Sequence, residues 1–280
     1  MINILFWNVG TTKQNVNDNE RNDRIDVIIK DLIIENGIDI AIFCGYLVNL
    51  ENMCNSLSIE YEEFNIALLP SDCRVKMIYK TKYQLNLLRD SKYYFIFSFE
   101  NYLHDFLLSG VHFPSKLHAT KRDIELVAEQ YIRDLKEVEL SVGHNRSIVV
   151  GDFNANPFDE MMILANYFNA IPYSDIVEHK KERRVYGKDY QMFYNPMWNI
   201  VGDINKINST YYFDSGGAMD LYRNIYDQVI VSADMIEHYE KAALKIITMT
   251  STQTLIDDED RPNKKEYSDH LPIVFSIKED

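Results

Sequence analysis

The chain has 280 residues, 46% of them hydrophobic, enough for one large or two small α/β domains with a buried core. Its 43 acidic and 29 basic side chains leave a formal net charge of -14, which repels polyanions at long range, so any nucleic-acid contact must be local. No stretch approaches the roughly 20 apolar residues that span a bilayer, and no basic and then apolar leader opens the chain, so a cytoplasmic protein with no membrane partner is expected.

Residues 2–8 form a short apolar run that ends on Asn8, as expected of a buried strand delivering a polar side chain to a sheet edge. A polar loop is expected over residues 11–22. Ile25, Ile28, Ile29, Leu32 and Ile33 then recur at helical spacing, with Gly37 placed to cap the helix. Residues 39–44 read as a second buried strand. Residues 75–79, 93–99 and 106–112 are rich in β-formers and read as further strands. Over residues 119–140 the helical period returns, with Ile124, Val127, Tyr131, Leu135 and Val138 on one stripe. Residues 147–150, 228–231, 244–248 and 273–277 complete the predicted strands. Cys44, Cys54 and Cys73 are too few and too irregular for a disulfide framework or a thiolate zinc site, so buried free thiols are expected.

Strands outnumber helices, and the helices are too widely spaced for a regular βαβ repeat. The expected fold is therefore α/β (α+β), two packed mixed β-sheets flanked by helices, in one domain over residues 1–280. No repeat or Pro/Gly-rich linker divides it. A polar, aromatic-rich insertion is expected at about 176–222.

Polar clusters flank the apolar strands at five places. They are Trp7-Asn8, Gly110-Val111-His112, Gly151-Asp152-Phe153-Asn154, Tyr226-Asp227 and Ser268-Asp269-His270. Such residues are costly in a core unless paired, so their placement on strand margins points to one shared cleft. Taken singly, each also has a plain structural reading: Asp and Asn cap turns and helices, and a hydrogen-bonded histidine can be buried without function.

Taken in order, Phe6-Trp7-Asn8, Gly-Asp-Phe-Asn, Ile225-Tyr226-Asp227-Gln228-Val229 and Ser-Asp-His-Leu-Pro resemble the signatures of the endonuclease/exonuclease/phosphatase superfamily across nearly the whole chain. The resemblance implies a four-layer sandwich that cleaves phosphoesters with Mg²⁺ or Mn²⁺. It implies that Asp152 orients or deprotonates the attacking water and that Asn154 holds water and phosphate in line. His270 would sit beside the scissile phosphate with Asp227 fixing its tautomer, and Asn8 and Asp269 would help bind the metal or its waters. His112 resembles the histidine that donates to a phosphoryl oxygen. Relatives that act on abasic DNA often carry tyrosine there, so the chain is more similar to the deoxyribonuclease-like and sphingomyelinase-like branches.

One position departs from the pattern. In the superfamily the second strand is usually followed by Gln-Glu, the Glu being a principal metal ligand, whereas this chain has Cys44-Gly45. Mg²⁺ is commonly held by only one or two carboxylates, so losing one is serious, and Glu51 lies six positions on. Two explanations stand: a natural inactive or alternative-metal protein, or a Glu-to-Gly form of an active enzyme. The intact remainder of the constellation favours the second.

Lys180, Lys181, Arg183 and Arg184, with His179 and Lys188, make the densest basic patch of the chain, and together with Lys116 they are the expected substrate contacts. A solvated helix face beside Glu178 and Glu182 is the plainer reading of that patch. The aromatic residues from Tyr190 to Phe213 suit either base stacking or a small core. A DNA endonuclease, inactive or weakened by Gly45, is the expected function. The alternatives are a phosphatase or phosphodiesterase on a small or lipid phosphoester, and a non-catalytic binding module with the same fold.

Overall fold

The structure is a computed structural model that describes residues 1–10, 17–45, 49–100, 105–202, 207–218 and 220–279. The apolar run at the start of the chain forms β1 (Ile2–Asn8), and β2 (Ile40–Cys44) lies parallel beside it, Asn8 level with Cys44. A parallel pair needs a crossover, supplied by α1 (Asn19–Glu35). That helix starts earlier than the expected polar loop allows. Residues 19–22 are already helical because the Asp18 side chain accepts a hydrogen bond from the Arg21 amide at 3.0 Å, while residues 11–16 of the expected loop lie outside the described residues. Gly37, at φ +58°, ends the helix, and the amides of Gly37 and Ile38 bond back to the carbonyls of Ile34 and Ile33.

Chain order continues through α2 (Leu50–Glu60), β3 (Phe64–Ile66), β4 (Val75–Lys80), β5 (Gln84–Asp90), β6 (Tyr94–Glu100), β7 (Phe106–His112), α3 (Lys121–Val142) and β8 (Ser147–Asp152). Next come α4 (Glu160–Ile163), β9 (Ala170–Ile171), α5 (Ser174–Lys180), the hairpin β10 (Glu182–Val185) and β11 (Lys188–Gln191), β12 (Phe193–Tyr194), β13 (Tyr211–Tyr212) and β14 (Arg223–Asn224). The last strands are β15 (Asp227–Ser232), β16 (Tyr239–Ile246) and β17 (Ile273–Ile277).

β10–β11 and β13–β14 form separate two-stranded pairs, and two sheets collect the other thirteen of these strands. One has six in the order β16-β17-β1-β2-β4-β3, and the other has seven in the order β5-β6-β7-β8-β15-β12-β9. Their facing sides share a core in which Ile4, Phe6 and Ile42 meet Phe97, Leu108, Val150 and Val229. Alternation along each strand sends the intervening side chains outward. Leu5 and Phe43 pack with Ile25, Ile29 and Leu32 of α1, and Ile96 and Val149 pack with Ile124, Tyr131 and Leu135 of α3. Helix, sheet, sheet and helix give the expected four layers. All three cysteines are buried free thiols. Among the described residues, no helix is long and apolar enough to cross a membrane.

Two glycines let the second sheet close tightly. A Cβ on Gly151 would stand 2.0 Å from the Val111 carbonyl oxygen, and one on Gly110 would stand 2.5 Å from the Phe95 ring. The glycine of Gly-Asp-Phe-Asn thus brings β8 against β7, with Asp152 level with His112.

The basic patch is not one helix face. Lys180 ends α5, whereas Arg183 and Arg184 lie on the first strand of the β10–β11 hairpin. Within the predicted insertion, β12 joins the seven-stranded sheet, pairing with the end of β15 at Val231 and Ser232.

Candidate active site

Sheet direction gathers the polar clusters at one end of the sandwich. Asn8, Cys44, His112 and Asp152 terminate β1, β2, β7 and β8, while the antiparallel β15 begins at Asp227 and His270 precedes the antiparallel β17. Asp227 stands level with Asp152 across the β8–β15 pair. The Asn8 amide spans the two sheets, donating to Asp152 Oδ2 at 2.9 Å.

Local hydrogen bonds explain why these motifs need their particular residues. Ser268 Oγ donates to the Asn8 carbonyl at 2.7 Å and accepts from the His270 amide at 3.0 Å, and the Trp7 indole donates to the His270 carbonyl at 2.9 Å. The Ser-Asp-His segment is thereby fastened to the end of β1. In Gly-Asp-Phe-Asn, the Asn154 amide donates to Asp152 Oδ1 at 2.8 Å, and Asn154 Nδ2 donates to the Phe113 carbonyl at 2.9 Å. Those two bonds hold Asn154 at φ +49°, a conformation that Asn tolerates better than most side chains.

Asp227 Oδ2 lies 2.8 Å from His270 Nδ1, both groups being buried. Burial on its own would lower the His270 pKa. The charge and hydrogen bond of Asp227, with Asp152 and Asp269 adding, outweigh it and raise the imidazole to about 10. The His270 ring is therefore charged at neutral pH, with Nε2 4.0 Å from Asp152 Oδ2. Burial pushes the Asp152 carboxyl up, against the pull of His270 and with the push of Asp227. His112 goes the other way: burial, then the positive charges of Arg74 and His270, lower it to about 3, so its ring is neutral. Its Nε2 is 3.9 Å from Asp152 Oδ2.

The group can be tested against a divalent cation. Asp152, Asp227 and His270 offer ligand atoms that all lie within 4.8 Å of one another. Asp227 Oδ1 and His112 Nδ1 are buried without a hydrogen-bond partner among the described residues, an unstable state unless something polar meets them. The two carboxylates suit Mg²⁺ or Mn²⁺, while the charged His270 ring has no lone pair to offer and stands beside such an ion rather than on it. Of the expected helpers, Asn8 Oδ1 is engaged by the Gly10 amide at 3.1 Å, and Asp269 lies on the rim, 3.7 Å from the Lys264 ammonium. Gly45 follows β2 at φ +64°, and Glu51 sits in the first turn of α2, its amide capped by Asn49.

The expected substrate contacts divide. Lys116 belongs to the cleft margin, its ammonium 3.1 Å from Asp159 and 5.4 Å above the ring of Tyr226, the neighbour of Asp227. Lys180, Lys181, Arg183 and Arg184 are not brought to the cleft. Lys181 pairs with Asp234 at 2.6 Å, just past the end of β15 that lies away from Asp227, and five strand steps separate the two ends by ~17 Å. Arg184 pairs with Asp189 across its own hairpin.

Two side chains that brace the site, Arg21 and Thr210, carry no sequence signal, and a third, Tyr211, belongs to the aromatic residues between Tyr190 and Phe213. The Arg21 guanidinium donates to the carbonyls of Val9 and Tyr267, joining the two segments that carry Asn8 and Asp269. Thr210 Oγ1 accepts from the Asp227 amide at 3.1 Å, and the Thr210 carbonyl accepts from the Leu271 amide at 2.8 Å. The Tyr211 ring lies 4.6 Å from that of His270. Only the aromatic run Tyr211-Tyr212-Phe213 gave a sequence signal.

No family model matches the chain, and no curated protein matches it. Solved structures are similar in shape. An endonuclease/exonuclease/phosphatase family protein from Bacteroides thetaiotaomicron superposes at a TM-score of 0.62 with 12% identity, over 99% of this chain and 97% of that one. A mannosyl-6-phosphatase from the same organism gives 0.60 at 12% identity, over 99% of each chain. A 3′ phosphatase from Neisseria bound to a product DNA hairpin gives 0.53 at 14% identity, over 99% of this chain and all of that one, 100%. A two-sheet sandwich with its polar cluster at one end of both sheets defines the class. The fold is that of the endonuclease/exonuclease/phosphatase proteins, the deoxyribonuclease I-like fold.

Proposed function

We propose that the chain is a divalent-metal-dependent phosphodiesterase acting on nucleic acid, DNA foremost, and that it is weakened as it stands by Gly45. The observation that carries this reading is the convergence of a charged His270–Asp227 pair, a neutral His112 and the buried Asp152 at one end of both sheets. Such a cluster can meet a phosphodiester with donors of opposite roles. The His270 imidazolium faces the negative charge of the scissile phosphate, and Asp227 keeps that ring oriented and protonated. The neutral His112 donates a hydrogen bond to a phosphoryl oxygen. Asp152, its pKa raised by burial, takes the proton of the attacking water, which Asn154 helps hold in line. The unpaired oxygen of Asp227 would hold the Mg²⁺ or Mn²⁺ ion, with Asn8 and Asp269 reaching its waters. When bound, the ion supplies neutralising charge to the phosphate.

A small or lipid phosphoester is the second reading. It is favoured by one observation, that the densest cationic patch is anchored at the far end of β15 rather than over the cluster. The two are separated by cleavage of supercoiled plasmid, single-stranded oligonucleotide and bis(p-nitrophenyl) phosphate across a salt series with Mg²⁺ or Mn²⁺. Salt-steep cleavage of DNA supports the first reading, and salt-independent turnover of the small ester alone supports the second. Ligand binding with no turnover, in the Gly45→Glu form as well, would contradict both and leave a binding module.

A further inference from the structure

The segment that braces the catalytic pair also carries a column of parallel rings out of it. Tyr211 stacks on Tyr226 with centroids 5.2 Å apart and planes 24° from parallel, and on Phe213 at 6.3 Å and 18°. Tyr211 also meets the His270 ring, at 4.6 Å and tilted by 39°. Tyr211 and Phe213 share a face because they are two residues apart in an extended segment. Phe213, the outer ring, keeps 38% of its surface exposed, unlike Phe193 and Tyr194 of the same insertion, which are buried in the sheet core. Backbone pairing anchors the column. Tyr211 and Tyr212 pair with Asn224 and Arg223, Tyr211 also bridges His270, and the Phe213 amide bonds to the Tyr222 carbonyl at 2.9 Å.

An exposed aromatic face, fixed one stacking step from a ring that touches His270, suits a flat partner covalently linked to the phosphate. We propose that Phe213, backed by Tyr211, is a stacking shelf for an unpaired nucleobase whose own or adjacent phosphate lies against His270, with the Lys116 ammonium over the neighbouring Tyr226 ring. This rests on the phosphoesterase reading and narrows its substrate to nucleoside phosphates with an accessible base face. Bases paired within a duplex keep their faces covered by neighbours, whereas those of a single strand, a strand end or a free nucleotide do not.

The test uses the full chain in chelator, so that binding is read without cleavage. The probes are a short single strand carrying 2-aminopurine, the same strand with an abasic site at that position, and 2-aminopurine deoxyribonucleoside monophosphate. The expected result is fluorescence quenching with the base-bearing strand, and a loss of affinity on the order of 5- to 100-fold for Phe213→Ala. Phe213→Trp should restore both, which separates stacking from loss of fold. Quenching by the monophosphate as well assigns the shelf to free nucleotides, and quenching by the strand alone assigns it to polynucleotide; either supports the shelf. Equal affinity for the abasic strand, an unchanged Phe213→Ala protein, or no binding at all overturns it. Turnover of bis(p-nitrophenyl) phosphate by the Gly45→Glu form, measured alongside, tells whether the phosphoesterase reading survives that failure.

Discussion

Asp227 and His270 are forty-three positions apart in sequence, and their side chains meet at 2.8 Å beneath the end of two sheets, one group completely buried and the other nearly so. A buried carboxylate and imidazole at that distance stabilise each other as ions, so removing one charge exposes the other to the full cost of burial.

Asp227→Asn keeps the shape of the pair and removes its charge. In metal-free protein the His270 ring, raised to about 10, should show no titration in NMR spectra between pH 5 and 8, and Asp227→Asn should bring its midpoint down into or below that window. The linked stability has a definite sign: a raised histidine contributes fully below its unfolded pKa and loses the contribution as pH rises through the folded value. Urea midpoints of the parent should therefore fall between about pH 7 and 10 more than those of Asp227→Asn. A His270 midpoint near 6.5 in the parent would contradict the pairing.

The distal basic patch makes a length-dependent prediction. Replacing Lys180, Lys181, Arg183 and Arg184 by Ala should leave binding of a trinucleotide unchanged, because the patch is anchored ~17 Å from Asp227 along β15. For long duplex DNA the slope of log affinity against log salt should fall by about 0.9 for each phosphate that the protein no longer neutralises. An unchanged slope would assign all four cations to solvated surface.

Gly151→Ala tests the close approach of β7 and β8. The added methyl would meet the Val111 carbonyl oxygen at 2.0 Å and its carbonyl carbon at 2.8 Å, backbone atoms that cannot rotate away. Overpacking of this kind costs about 1–3 kcal/mol, and here the strand must shift, so the upper end is expected in urea unfolding. A loss below about 0.5 kcal/mol, the range of neutral surface substitutions, would show that the two strands are not so closely set.

Glu139 supplies a pH test remote from the site. Its carboxyl is raised by burial against the opposing hydrogen bonds from Ser147 and Gln191, so the folded chain binds a proton there more tightly than the unfolded chain. Stability linked to it is present below the unfolded pKa and declines as pH rises through the folded one. Glu139→Gln can retain both partners without titrating, so it should gain on the parent as pH goes from 4 to 8. Parallel urea-midpoint curves for the two proteins would refute that burial.

Much of this arrangement is legible in the sequence. Residues 106–112 and 273–277 are short runs dominated by apolar residues, broken only by Ser109, Gly110, His112 and Ser276, and the structure gives strands over those same residues, buried on both faces. The polar clusters at strand margins mark one end of the sandwich because Asp, Asn and His tolerate burial there through one another and through nearby backbone groups. Less was visible where apolar pattern is weak. β5 is an edge strand with Leu87 and Leu88 partly exposed, and α2 buries only Met53, Cys54 and Leu57. The position of the basic patch was not legible at all. It depends on how the β10–β11 hairpin is hung from the far end of β15, a long-range relation with no local signature. Nor does spacing announce that Thr210, seventeen residues before Asp227, holds that residue's amide.

In the proposed function the cluster at the end of the sheets hydrolyses phosphodiesters with a divalent ion, and Gly45 limits it. The direct measurement is the initial rate of Mn²⁺-dependent oligonucleotide cleavage by three proteins: the chain itself, Gly45→Glu, and Gly45→Glu combined with Asp152→Ala. Glu at φ +64° costs about 1–2 kcal/mol in the left-handed region, so the single variant should lose some stability without metal. It should nevertheless cleave at least tenfold faster than the parent, and the double variant should return to background. Equal rates in the parent and Gly45→Glu, or cleavage that survives Asp152→Ala, would contradict the account.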